Sequence, residues 1–162
     1  MIERPTQKLS AILEREEVEN RWETQRWQLI EAIPDVGGKM RTVLKADGTL
    51  RRLFPGLQVT LFHDEAEGYY LNTSSGEPSV FISIRIDDGE SDPYPFQATL
   101  SYNEAARWMD GGEKVERVRA WPELAAWMLA WVEVNYRPEP KKRRRPQSFE
   151  GKEGVLREKG SR

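Results

Sequence analysis

From Val80 to Ile86 the chain reads VFISIRI, placing Val80, Ile82, Ile84 and Ile86 on one side of an extended backbone and Phe81, Ser83 and Arg85 on the other. Successive strand side chains point to opposite faces, so this alternation predicts a β-strand with one face in a core. Further along, PELAAWMLAWVEVNY follows a different period. Leu124, Trp127, Met128 and Trp131 are spaced i, i+3, i+4, i+7, the stripe of an α-helix. A chain that carries both periods has to pack helices against a sheet.

Other segments fill in this α+β expectation. Leu9, Ala11 and Leu13 alternate, as do Leu57, Val59 and Leu61, and both stretches read as strands. RWQLIEAIP around Trp27 and Leu29 is a further strand, stopped by Pro34, which has no N–H for a ladder. Met40 to Leu44 predicts a third strand, followed by Asp47-Gly48, a tight-hairpin pair. Strands over 57–61, 69–73 and 80–86, joined by HDEAEG and SSGEP, predict an antiparallel meander. Ala66, Tyr69 and Tyr70 are also spaced for a short helix, so residues 65–72 admit either reading. Phe96 to Leu100 is another strand, and 113–119 a short edge strand. Ser101 with Glu104 has capping-box spacing and opens a helix over 102–110, closed by Gly111-Gly112. Pro122 suits the first turn of a second helix, over 122–136. The expected architecture is one antiparallel sheet of roughly five to seven strands with two helices packed on it.

Charge divides the chain in two. Residues 137–162 hold ten basic and four acidic side chains, a net of +6, which leaves fifteen basic against twenty-three acidic, −8, before them. Beyond Lys141 only Phe149, Val155 and Leu156 are large and apolar, too few to offset the entropy of ordering. The predicted organisation is a single α+β domain over 1–137 and a flexible basic tail over 138–162, disordered when free.

Composition excludes several chemistries. With no cysteine there is no disulfide, thiolate-held cluster or cysteine nucleophile, and with His63 as the sole histidine there is no two-histidine metal site within one chain. MIERPTQKLS lacks the apolar core of a signal peptide, and the longest apolar run, Leu124 to Val132, is too short for a membrane span. A cytoplasmic protein is expected. His63-Asp64-Glu65-Ala66-Glu67 groups titratable side chains, but no second histidine or nucleophile-elbow sequence accompanies it. Asp87 to Asp92 resembles a calcium loop only superficially: Pro93 stands where the turn glycine belongs and Thr99 where the bidentate glutamate belongs. No glycine-rich phosphate motif occurs. Neither an enzyme nor a cofactor is expected.

Partner binding is the stronger expectation. From 123 to 135 only Glu123, Glu133 and Asn135 are polar, so the second helix is either buried on most sides or docks its outer face, around Leu129 and Val132, on a partner. Of six tryptophans, Trp27, Trp108 and Trp127 read as core, while Trp22 and Trp121 lie beside charged or loop residues and read as surface. The predicted contact set is therefore Trp22, Trp121, Trp127, Leu129, Trp131 and Val132, joined by the cationic run Lys141, Lys142, Arg143, Arg144 and Arg145. That run suits an acidic protein surface, an anionic membrane surface or nucleic acid. A nucleic-acid- or ribosome-associated role is the alternative, opposed by the acidic body.

The segments LEREEVENRWETQRWQLIEAIP (13–34), LFHDEAEGYYLNTSSGEPSVFISIR (61–85), SYNEAARWMDGGEKVERV (101–118) and PELAAWMLAWVEVNYRPEPKKRRR (122–145) resemble the proteobacterial family termed domain of unknown function 3305. The shared features are a tryptophan-containing N-terminal segment, an aromatic and Asn before a turn, a small-residue-rich C-terminal helix and a Pro-Glu-Pro basic ending. Residues after Pro146 depart from that pattern. The resemblance implies genes that neighbour those of molybdenum-dependent formate dehydrogenase. It further implies an accessory or small subunit that binds the enzyme, its maturation factor or a partner subunit, and it carries over no catalytic residue.

Overall fold

The computed structural model describes residues 3–18 and 25–138; Trp22 and the run Lys141–Arg145 lie outside the described residues. The described residues form an α+β domain of seven strands and three α-helices: β1 (Thr6–Glu17), β2 (Gln25–Pro34), β3 (Arg41–Ala46), β4 (Thr49–Thr60), α1 (Ala66–Thr73), β5 (Ser79–Arg85), β6 (Tyr94–Thr99), α2 (Tyr102–Asp110), β7 (Lys114–Arg119) and α3 (Pro122–Asn135). A single 3₁₀ turn, His63–Glu65, precedes α1.

Two antiparallel sheets replace the single expected one. Four strands lie in the order β2-β1-β4-β3 and three in the order β6-β5-β7. The expected meander from Leu57 to Ile86 does not form, because its two outer strands, β4 and β5, belong to different sheets and its middle segment is α1. The helical reading of 65–72 is therefore the one realised, and the α-helices among the described residues number three rather than two. The sheets approach each other with β2 beside β7 and β4 beside β6. Their inward residues share one core: Leu9, Leu13 and Val59 from the first sheet, Val80 and Ile82 from the second, and Leu124 and Met128 from α3.

α1 is helical because its side chains have specific places to go. Tyr69 is fully buried; its hydroxyl donates to the Thr60 carbonyl at 3.1 Å and accepts from the Phe62 N–H at 3.0 Å, fixing the end of β4. One turn on, the buried Asn72 donates to the carbonyls of Ser79 (2.8 Å) and Leu100 (2.9 Å) and accepts from the Ser79 N–H (2.9 Å). Its amide also lies 3.7 Å from the Met128 sulfur of α3. Gly68 lets α1 approach α2, since a Cβ there would meet Ser101 Oγ at 2.0 Å. That same hydroxyl accepts from the Glu104 N–H at 3.0 Å, the cap expected from the sequence, and donates to Glu65 at 2.6 Å. Glu65 is paired in turn with Arg107.

β5 is buried on both faces rather than one, because α2 covers the side opposite the core. Phe81 meets Tyr102 of α2 edge-on, with ring centroids 6.1 Å apart. In the other sheet a bulge sets the register: Leu9 faces Leu57 and Ala11 faces Phe54, leaving Pro55 and Gly56 opposite Ser10. Gly56 takes the left-handed conformation (φ +87°) that such a bulge requires. Its N–H and the Ser10 hydroxyl both donate to the Asp35 carboxylate, at 2.9 and 3.0 Å.

Asn72 satisfies three buried backbone groups, and removing the side chain leaves them without partners. Each such loss costs about 1–3 kcal/mol. Asn72→Ala is expected to lower the unfolding free energy by about 3 kcal/mol or more in urea melts; a loss under about 0.5 kcal/mol, the scatter of an ordinary surface change, refutes the role.

Acid stability follows from the carboxylates. The Gly56 N–H lowers the pKa of Asp35, Arg52 lowers that of Asp92, and Arg85 lowers that of Glu113. Groups with a folded pKa below the unfolded one bind more protons when unfolded, so their contribution is complete above the ordinary carboxylate range and declines as pH falls through the folded values. Asp35→Asn should flatten the fall of the melting temperature between about pH 5 and pH 3; parallel wild-type and variant curves contradict the Asp35 assignment.

Candidate partner-binding surface

α3 is built to show apolar side chains on more than one side. Pro122 opens it, with Trp121 as an uncapped N-terminal boundary. Leu124, Met128 and Val132, four residues apart, point into the core. Val132 at 4% exposure therefore corrects its expected place on the outer face: it is one turn beyond Met128 and shares its direction. Leu129 at 45% and Val134 at 81% form the outward apolar surface, beside the exposed Ala126 and Ala130. Leu129 stands where the sequence places it.

The tryptophans divide less sharply than expected. Trp121, Trp127 and Trp131 are half-buried and pack at the margin of the core, as does Trp27. Trp131 bridges α3 to α1: Tyr69 meets its ring edge-on at 5.4 Å and His63 lies tilted against it at 5.3 Å. The sole histidine is thus an aromatic neighbour of α3. Near its end the helix is tied again, with Tyr136 against Tyr70 at 5.1 Å. Trp121 lines a shallow 350 Å³ groove between the ends of β2 and β7. Trp108 is partly exposed on α2 rather than enclosed in the core.

The acidic segment 87–92 is held by neighbours in the fold. Tyr94 donates its hydroxyl to Asp87 at 2.7 Å, which raises the phenol's pKa, and Arg52 binds Asp92 at 2.7 Å. Among the described residues no group of three or more His, Asp or Glu is arranged to hold a metal ion. No helix among them is long and apolar enough to cross a membrane.

Two surfaces escaped the sequence reading. The first is a 760 Å³ groove where β2 and β7 diverge, lined by Trp27, Ile84, Ile86, Arg85, Glu113 and Glu116 among others. Arg85 and Glu113 form a two-bonded pair across it (3.1 and 2.9 Å), and Arg85 lies 3.5 Å over the Phe96 ring. The groove closes where Glu116 accepts the Leu29 N–H at 2.8 Å, joining the two sheet edges. The second is strand β3, every residue of which is exposed, with the segment leading into it. Val36 (52%), Met40 (51%), Val43 (46%) and Leu44 (38%) cluster there. Adjacent apolar residues in a strand, such as Val43-Leu44, put one on each face and so signal a face without cover. The groove has no such signal, since its walls come from strands distant in sequence.

The fold and surface define an α+β domain with exposed apolar side chains on the outer side of α3 and along residues 36–44, and singly elsewhere, as at Phe96 of β6 and Met109 of α2. The model of the family described as "Protein of unknown function (DUF3305)" matches residues 8–145, and the chain belongs to that family. No curated protein and no solved structure matches it.

The two classes of α3 residue separate on substitution. Trp131→Ala removes ring contacts with Tyr69 and His63 and should cost about 2–4 kcal/mol of stability, whereas Leu129→Ala should stay within about 0.5 kcal/mol. Chemical denaturation of both variants checks this; equal losses would show that Leu129 is part of the core.

Proposed function

We propose that the protein is a non-enzymatic accessory or small-subunit protein that binds a formate dehydrogenase-type molybdoenzyme, its maturation factor or a partner subunit in the cytoplasm. The observation that carries the binding part of this reading is the uncovered apolar face of α3, Leu129 and Val134. A face of this kind on a small domain fits docking better than solvation. The enzyme system is suggested by the family resemblance, whose genes accompany molybdenum formate dehydrogenase. The partner surface is acidic on this reading. Lys141–Arg145 supply five adjacent cations that accelerate encounter with it, while the acidic charge before residue 137 discourages generic nucleic acid.

Interferometry with the purified full chain against the purified enzyme subunits and maturation factor tests the reading. Expected is saturable binding to one of them, weakened about tenfold by Leu129→Glu and made less salt-dependent by deletion after Pro140. The proposal fails if none of these components binds, or if generic RNA binds more tightly than all of them.

A further inference from the structure

The β3 hairpin carries an inference that rests on the protein-binding reading and gives it a surface and a ligand chemistry. β3 is the terminal strand of its sheet, paired with β4 on one side only. Among the described residues no other element packs substantially on it. Residues 36–46 contain three cations, Lys39, Arg41 and Lys45, and no acid. Arg41 is anchored, donating to the carbonyls of Gly37 at 2.9 Å and Lys39 at 3.0 Å, which holds its charge at the base of the strand. The register shifts between Thr42 and Leu44, leaving Val43 without a partner on β4.

Lysines and bulges on an edge strand ordinarily guard it against indiscriminate pairing. Protection does not account for the four exposed apolar side chains set among those cations. Together they describe an edge that rejects neutral or basic strands and accepts an acidic one. Charge also excludes the obvious local occupants. A second copy of residues 36–46 brings three more cations, and the chain's own segment after residue 137 is strongly basic.

We propose that the open edge of β3 receives an extended acidic segment of a protein partner as an added strand. Its backbone pairs with Arg41–Ala46, its carboxylates meet Lys39, Arg41 and Lys45, and its apolar side chains lie on Val43 and Leu44. Backbone pairing supplies affinity and alternate side chains supply selectivity, as in other strand-addition complexes.

The probe is a ten-residue peptide alternating Glu and Val, titrated into the full chain and followed by amide NMR. Expected are saturable shifts confined to residues 36–46 and slower hydrogen exchange there. A peptide of the same charge with alternate backbone N-methyl groups should lose binding about tenfold or more, because strand pairing is blocked while charge is kept. The triple reversal Lys39→Glu, Arg41→Glu and Lys45→Glu should weaken the Glu/Val peptide about tenfold, the sum expected of three exposed ion pairs, and should bind a Lys/Val peptide instead. Shifts elsewhere, equal binding of the N-methylated peptide, dimerisation through β3, or an unchanged affinity in the reversed variant each overturn the proposal. The molybdoenzyme components, assayed against the same reversed variant, separate the two claims. Wild-type affinity there sinks the β3 edge and leaves the accessory role standing; no binding by the wild-type chain sinks the accessory role itself.

Discussion

One buried carboxamide ties together elements from across the chain. Asn72 meets the first residue of β5, the carbonyl just past β6 and the methionine of α3. A polar side chain in that position is tolerable only when its donors and acceptor are matched, and all are. Its position requires α1 to be helical, because the helix is what turns Asn72 and Tyr69 inward together. Tyr69 then holds the end of β4 through Thr60 and Phe62, with its hydroxyl pushed up to about 12 in pKa by burial. Eight residues of helix thus fasten the end of one sheet to the beginning of the other.

Elsewhere the two sheets are joined by polar contacts at their margins. Glu116 caps the Leu29 N–H on the edge of β2. Arg52 reaches from β4 to Asp92 and lies 5.2 Å from the Trp27 ring, which Arg15 also approaches at 5.7 Å. The Glu116 bond satisfies an edge N–H that a continuous sheet would pair in its own ladder, while Arg52 serves both an acidic loop and an aromatic ring.

Much of this was legible in sequence order. The cap at Ser101, the proline opening α3, the Asp47-Gly48 turn and the alternation in β1, β4 and β5 each depend on neighbours within a few residues, and each is present. Partition into two sheets was not legible, since β1 pairs with β4 across two intervening strands and nothing local records that choice. The segment 65–72 was ambiguous because two aromatic residues and an alanine satisfy either period; Gly68 against Ser101 and the bonding of Asn72, both long-range, decide it. Val132 was misplaced because a helix with almost no polar residue gives no contrast by which to orient it. Leu129, by contrast, was placed correctly on the outer face. Residues 40–44 read as a strand, and β3 does form there, but that its residues are all exposed depends on where distant elements pack.

The order in which the core is filled has a consequence for a chain made from its N-terminus onward. Leu124, Met128 and Val132 pack against the inner faces of strands that are synthesised long before them. Until α3 has left the ribosome, Leu9, Val59 and Val80 have no lid, and Asn72 lacks part of its surroundings. Non-local pairing such as that of β1 with β4 is slow in any case. A nascent chain still lacking α3 therefore exposes apolar side chains that the finished domain buries, the condition in which association with chaperones or with other exposed strands competes with folding.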